Sequence, residues 1–308
     1  MIADGIYLGM GDDVYHGDTA LGSTGIKRLL QSAPDYWWES PLNPLKEEKE
    51  TDSTAFGKAV HRCVLEGREL FESQYAPAYL NGSTKEGKAE RAKIKEQNKK
   101  PIKGSDYERI LVSSSFIKAN PHLAKAFDGG IPEVSVFWTR KDGVRVKARF
   151  DYLKMSAISD LKSIRNPLGK EFAKACRDAV ATYDYTISAA HYCEGRRQMT
   201  RLMQEGHVFG ATEAETEWLW KVAQNDTFAF VLVFYQAEGA PISHGFQLSP
   251  ENPLLGAAKQ AIEQAIHNYK TYLAQFGQDT AWVLAEPLEE LDETTLPAWY
   301  QYKQATKG

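Results

Sequence analysis

"VRVKARFDYLKMSAISDLKS", residues 144–163, reads as two strands joined by a short turn. Val146, Ala148, Phe150 and Tyr152 alternate with Arg145, Lys147, Arg149 and Asp151. Side chains alternate between faces of a strand, so the apolar set predicts a core face and the charged set a basic stripe ending in a carboxylate. A turn centred on Met155 and Ser156 sets Asp151 opposite Asp160, with Lys162 expected on the same face. Upstream, "PEVSVFW" at 132–138 alternates in the same way. The "KDG" before Val144 suits a three-residue hairpin loop with left-handed Gly143, which sets Glu133 opposite Asp151.

Like charges directly opposite one another destabilise a sheet. Two readings of this row stay open. One is a hard divalent cation, since Mg²⁺ takes carboxylate oxygens and keeps several waters. The other is a solvated face on which Asp151 pairs with Arg149 or Lys162. In either case these residues are expected to leave folding largely unaffected when replaced, because they lie on a polar face.

The surrounding 308 residues fit one elaborated α/β domain with insertions. A net charge of -4 gives no whole-chain signal for nucleic acid, so local charge has to carry any such reading. The run 85–103 holds eight Lys or Arg against three Glu; a solvated helix face is the plain reading and a nucleic-acid contact the other. Cys63, Cys176 and Cys193 are far apart and odd in number, which suggests neither a disulfide framework nor a zinc site and fits a reducing cytoplasm. No stretch approaches ~18 apolar residues, so no membrane partner is expected.

Helices are predicted from a Ser23 cap up to Pro34, and over 53–67, 167–181, 184–205 and 252–276. A hairpin is predicted from "FAFVLVFYQ" and "ISHGFQL", and an acidic tail follows the last helix. The expected core spans about 53–248, within a single domain over 1–308, with the C-terminal helix and tail at about 250–308. Trp37 and Trp38 are read mainly as core, with stacking on unpaired bases as the alternative.

Five motifs in order, "GKAVH", "PEVSVFW", "ARFDYL", "ISDLKS" and "YDYTISAAHY", resemble the phage-type and RecE-type exonucleases of the PD-(D/E)XK nuclease superfamily, over roughly residues 20–248. The resemblance implies a restriction-endonuclease-like α/β core, a central mixed sheet flanked by helices with extra N- and C-terminal helices. It also implies Mg²⁺-dependent digestion of linear double-stranded DNA from its 5′ ends, with Mn²⁺ as a substitute. Asp151, Asp160 and Lys162 look like the catalytic set and Glu133 like the upstream acid. His61 and the Leu161 carbonyl look like further metal contacts.

Lys27 and Arg28 are expected near a 5′ phosphate, and Arg145, Lys147 and Arg149 along the DNA backbone. The family's Gln-x-x-x-Tyr is represented by Ser188 and Tyr192, and serine reaches less far than glutamine. The implied partners are DNA ends, a homo-oligomeric ring and a single-strand annealing recombinase, in a phage- or prophage-encoded cytoplasmic protein. The alternatives are a structure-specific or restriction-type endonuclease, and an inactive nuclease fold that binds DNA or docks a recombinase.

Overall fold

A computed structural model describes residues 1–47, 51–292 and 295–305. The parts of the tail at 293–294 and 306–308 lie outside the described residues. Nine strands form among the described residues: β1 (Gly5–Tyr7), β2 (Tyr75–Ala78), β3 (Lys100–Lys103), β4 (Ile131–Thr139), β5 (Arg145–Leu153), β6 (Ala157–Ile164), β7 (Val208–Phe209), β8 (Ala229–Gln236) and β9 (Ser243–Leu248). The helices are α1 (Asp12–Gly17), α2 (Ser23–Gln31), α3 (Ala33–Glu39), α4 (Asp52–His61), α5 (Arg68–Gln74), α6 (Lys85–Glu96), α7 (Gly104–Ala119), α8 (Phe172–Thr182), α9 (Tyr185–Gln204), α10 (Glu213–Ala223), α11 (Pro253–Phe276) and α12 (Ala298–Ala305).

Seven strands make one mixed sheet in the order β7-β1-β4-β5-β6-β8-β9, and β2 pairs with β3 apart from it. β4, β5 and β6 are an antiparallel meander, while β8 runs parallel to β6. A parallel neighbour needs a crossover connection, which α8, α9 and α10 supply. One face of the sheet packs a core that includes residues of α2, α9 and α11. The other packs a core from α4, the π-helical turn Arg62–Glu66, α5 and α7.

The β4–β5 hairpin closes as expected, with Thr139 paired to Arg145 and Gly143 at φ +84°. Gly195 lets α9 approach the sheet, because a Cβ there would meet the Trp138 ring at 3.0 Å. Pro34 opens a new helix instead of ending the segment: Ser32 caps α3 by accepting from Asp35 N at 3.2 Å, and proline fits the first helical turn. Gly22, not Ser23, occupies the cap position of α2. Trp37 is buried, its indole donating to the Gln278 carbonyl, and Trp38 is exposed.

The strict alternation predicted for β5 breaks at Asp151. Phe150 and Leu153 belong to one core, whereas Tyr152 belongs to the other. β4 bends at the same level: Ile131 and Val134 face one core and flank Glu133, which has φ +54°. A left-handed non-glycine residue carries local strain, and such residues cluster at functional sites.

Candidate active site

β6 keeps its ladder with β8 along its whole length, but its pairs with β5 stop at Tyr152–Ser159. The next pair in that register would be Asp151 with Asp160. Instead, Asp151 Oδ2 accepts from Leu161 N at 2.7 Å, so a side chain takes the donor that a neighbouring strand would use. The strands part here, and the carboxylates sit in the gap. The predicted opposition of Asp151 and Asp160 holds as a register, while a flat row on one face does not.

Asp160 is 1% exposed, and its Oδ1 has no hydrogen-bond partner among the described residues. Its compensation is an ion contact, Lys162 Nζ at 2.5 Å from Oδ2. The ammonium also donates to the Leu161 carbonyl at 3.4 Å. Burial pushes the Asp160 carboxyl up; Lys162 opposes that shift and Asp151 adds to it. Burial alone would lower Lys162, but Asp160 and Asp151 outweigh it and hold the side chain as an ammonium. These two residues are a buried pair, which corrects the expectation that their replacement leaves folding untouched.

α4 brings His61 Nδ1 to 3.8 Å from Asp151 Oδ2. Glu133 lies 3.9 Å from Arg149 Nε, and its carboxyl is raised by burial and by Asp151, with Arg149 opposing. From α9, the Tyr192 phenol is raised by burial and then by Asp160 and Asp151, so it faces both carboxylates. Lys27 from α2 donates to the Tyr183 carbonyl at 2.8 Å. Burial and the neighbouring Lys162 lower it to about 8. Asp151, Asp160, Lys162, Glu133, His61, Tyr192 and Lys27 are thus brought together.

Other expected contacts are bonded to protein groups, although Lys147 and Arg149 touch the wall of the cleft beside Asp151. Lys147 Nζ donates to the carbonyls of Tyr15 at 2.6 Å and Asp18 at 2.7 Å. Arg149 is bonded to Ser135 Oγ, Asp12 Oδ1 and the Met10 carbonyl. Arg145 donates to the Ile2 carbonyl and contacts Asp18. The segment β1–α1 lies across this face, which corrects the reading of the three cations as a stripe open to DNA. Lys147 and Arg149 are buried, because each finds acceptors on that segment. Ser188 is buried within α9 and offers the cleft no surface.

A cleft of about 1240 Å³ opens beside Asp151, Glu133, His61 and Tyr192, and Arg28, Lys46, Lys58, Arg62 and Lys100 contribute cations to its lining. Arg28 Nη1 is 3.6 Å from Glu39 Oε2. α6, carrying much of the basic run, is largely exposed, as a solvated helix would be. Glu66, which ends the π-helical turn and also acts on Glu133, is a carboxylate that sequence reading missed. Its only signal was its position one helical turn beyond His61.

Among the described residues, no three His, Cys, Asp or Glu side chains converge as a ready-made metal cage. The donors at the strand gap are two carboxylates and the Leu161 carbonyl. That set suits a hard cation that keeps several waters, and Asp160 Oδ1, without a partner among the described residues, fits such an ion.

The family model described as "PDDEXK-like domain of unknown function" (DUF3799) matches residues 23–222. Among solved structures, a crystal structure from Eubacterium rectale, carried under the provisional name of exonuclease, is similar with a TM-score of 0.54 at 14% identity; the match covers 92% of this chain and 97% of that one. At that identity the likeness concerns the fold. No curated protein matches the chain.

Proposed function

Since the chain belongs to the PDDEXK-like family DUF3799, we propose that it is a divalent-cation-dependent exonuclease on linear double-stranded DNA. It digests from 5′ ends and leaves 3′ single strands for a recombinase of the annealing type. Membership and fold make it a nuclease-like protein of the PD-(D/E)XK type. The observation that carries the chemical reading is Asp160: a buried carboxylate whose Oδ2 is held by one ammonium and whose Oδ1 has no partner among the described residues, beside a strand gap that holds Asp151.

Asp151, Asp160 and the Leu161 carbonyl would hold Mg²⁺ or Mn²⁺, with His61 at the edge of that set. Such a cation, when bound, activates water and offsets charge on the scissile phosphate. Lys162, held as an ammonium, cannot accept a proton, so it stabilises developing phosphate charge and orients the attacking water. Glu133 would take the proton that water releases once its own carboxyl, raised to about 8, has ionised. Arg28, Lys58, Arg62 and Lys100 supply phosphate contacts along the cleft, in place of Arg145, Lys147 and Arg149, which are bonded to the N-terminal segment.

A closed ring of subunits threaded by duplex is the assembly we propose, since cyclic symmetry gathers the active sites around one channel. Release of acid-soluble nucleotide from linear duplex, with Mg²⁺ and with chelator, tests the activity. Light scattering tests the assembly.

A further inference from the structure

Lys162 needs support besides Asp160. An ammonium held only by that carboxylate would have to stay on it when a cation claims the same oxygen. Tyr185, the first residue of α9, provides another seat: Lys162 Nζ lies 5.5 Å from its ring centre. Lys27 Nζ lies 5.2 Å from the same ring centre. Both distances are within the range at which an aromatic ring attracts a cation, and the attraction is greatest where water is excluded.

The ring is itself fixed. It packs against Phe234 of β8, with ring centres 6.1 Å apart, and against Tyr183 at 5.7 Å. β8 pairs residue for residue with β6, Phe234 lying opposite Lys162. The Lys27 ammonium also donates to the Tyr183 carbonyl at 2.8 Å, which ties α2 to the C-terminal end of α8 beside this ring. The Tyr185 hydroxyl is raised by burial, which keeps the phenol neutral, so its contribution to the ammoniums is that of an aromatic face.

We propose that Tyr185 is a positioning residue, whose ring holds the Lys162 ammonium at the reacting position and shares it with Lys27 as a second cation of the same centre. The proposal rests on the nuclease reading above. When a divalent cation occupies Asp160, the Lys162 ammonium stays on the Tyr185 ring, free of its carboxylate and available to phosphate. Lys27 adds positive charge on the same side of that phosphate.

The test compares Tyr185→Phe, which keeps the ring, with Tyr185→Leu, which removes it. In protein labelled at the lysine ε-carbons, the ε-methylene protons of Lys27 and Lys162, assigned with Lys27→Arg and Lys162→Arg, should be shifted upfield by the ring current. The shifts should persist in Tyr185→Phe and collapse in Tyr185→Leu. Single-turnover cleavage of linear duplex should fall about tenfold in Tyr185→Leu and stay near wild type in Tyr185→Phe, with the half-saturating Mg²⁺ concentration unchanged in both.

Equal cleavage by Tyr185→Leu and wild type, despite lost ring shifts, would overturn the positioning role. So would a Phe variant as impaired as the Leu variant, or cleaving wild-type protein that shows no ring shifts. Wild-type protein that shows the shifts but cleaves no DNA would instead overturn the nuclease reading, and the positioning role with it.

Discussion

Replacing Lys162 by methionine, which keeps most of the aliphatic stem and deletes the ammonium, should cost stability as well as activity. Asp160 is 1% exposed and loses its ion contact at 2.5 Å, with no hydrogen bond to take its place among the described residues. Removing one partner of a buried pair costs about 3–5 kcal/mol, because the remaining charge is left desolvated.

The cost should depend on pH. Burial and Asp151 already raise the Asp160 carboxyl, and deleting Lys162 removes the opposing positive charge. The folded state then holds a proton that the unfolded chain gives up, so stability falls as pH rises from the unfolded value of about 4 to the raised folded value. Urea unfolding in chelator should show the variant closer to wild type at acidic pH and furthest from it in mildly alkaline buffer.

Mg²⁺ should restore part of the loss by taking the place of the ammonium, by about 2.7 kcal/mol at a hundred times its dissociation constant. The double variant Asp160→Asn/Lys162→Met should regain most of the stability without Mg²⁺. A Lys162→Met protein whose stability ignores both pH and Mg²⁺ would refute the buried-pair reasoning.

Asp151→Asn keeps an oxygen for Leu161 N, so it should fold while needing at least about tenfold more Mg²⁺ for half-maximal cleavage, read by metal titration. Arg149→Met should lower stability by about 2–4 kcal/mol in urea unfolding and leave the salt slope of DNA binding unchanged, since two of its donors serve the N-terminal segment and the third serves Ser135 of β4. Arg28→Ala combined with Lys100→Ala should instead flatten that slope by about 0.9 per lost phosphate contact. Burial lowers His191 to about 4, so between that value and 6.5 the unfolded chain binds the extra proton. Stability should fall by up to about 3 kcal/mol as pH drops through that window, and His191→Gln should flatten this part of the pH dependence.

The hairpins and the acid–lysine spacing were legible because period-two alternation and turn chemistry are local. Gly143 alone dictated the β4–β5 register, and with it the level of Glu133. The bend at Asp151 was not legible, since it arises where Asp151 takes the Leu161 amide, a contact between strands. The basic stripe misled for a related reason. Alternation gives the side of a strand, but only the tertiary fold reveals that residues 1–18 cover that side and satisfy Lys147 and Arg149 with carbonyls and Asp12. Tyr185 carried no local signal, because its two lysine neighbours come from positions 27 and 162.

The central claim, a cation-dependent nuclease centre at Asp151, Asp160 and Lys162 acting on DNA ends, is tested most directly by one comparison. Linear and covalently closed circular duplex of the same sequence are incubated with wild-type protein and with Asp160→Asn, in Mg²⁺ and in chelator, and acid-soluble nucleotide is measured. The account predicts release only from linear duplex, by wild type, in Mg²⁺. Equal release by Asp160→Asn, or release in chelator, would contradict it, and rapid opening of the circle would replace the exonuclease with an endonuclease.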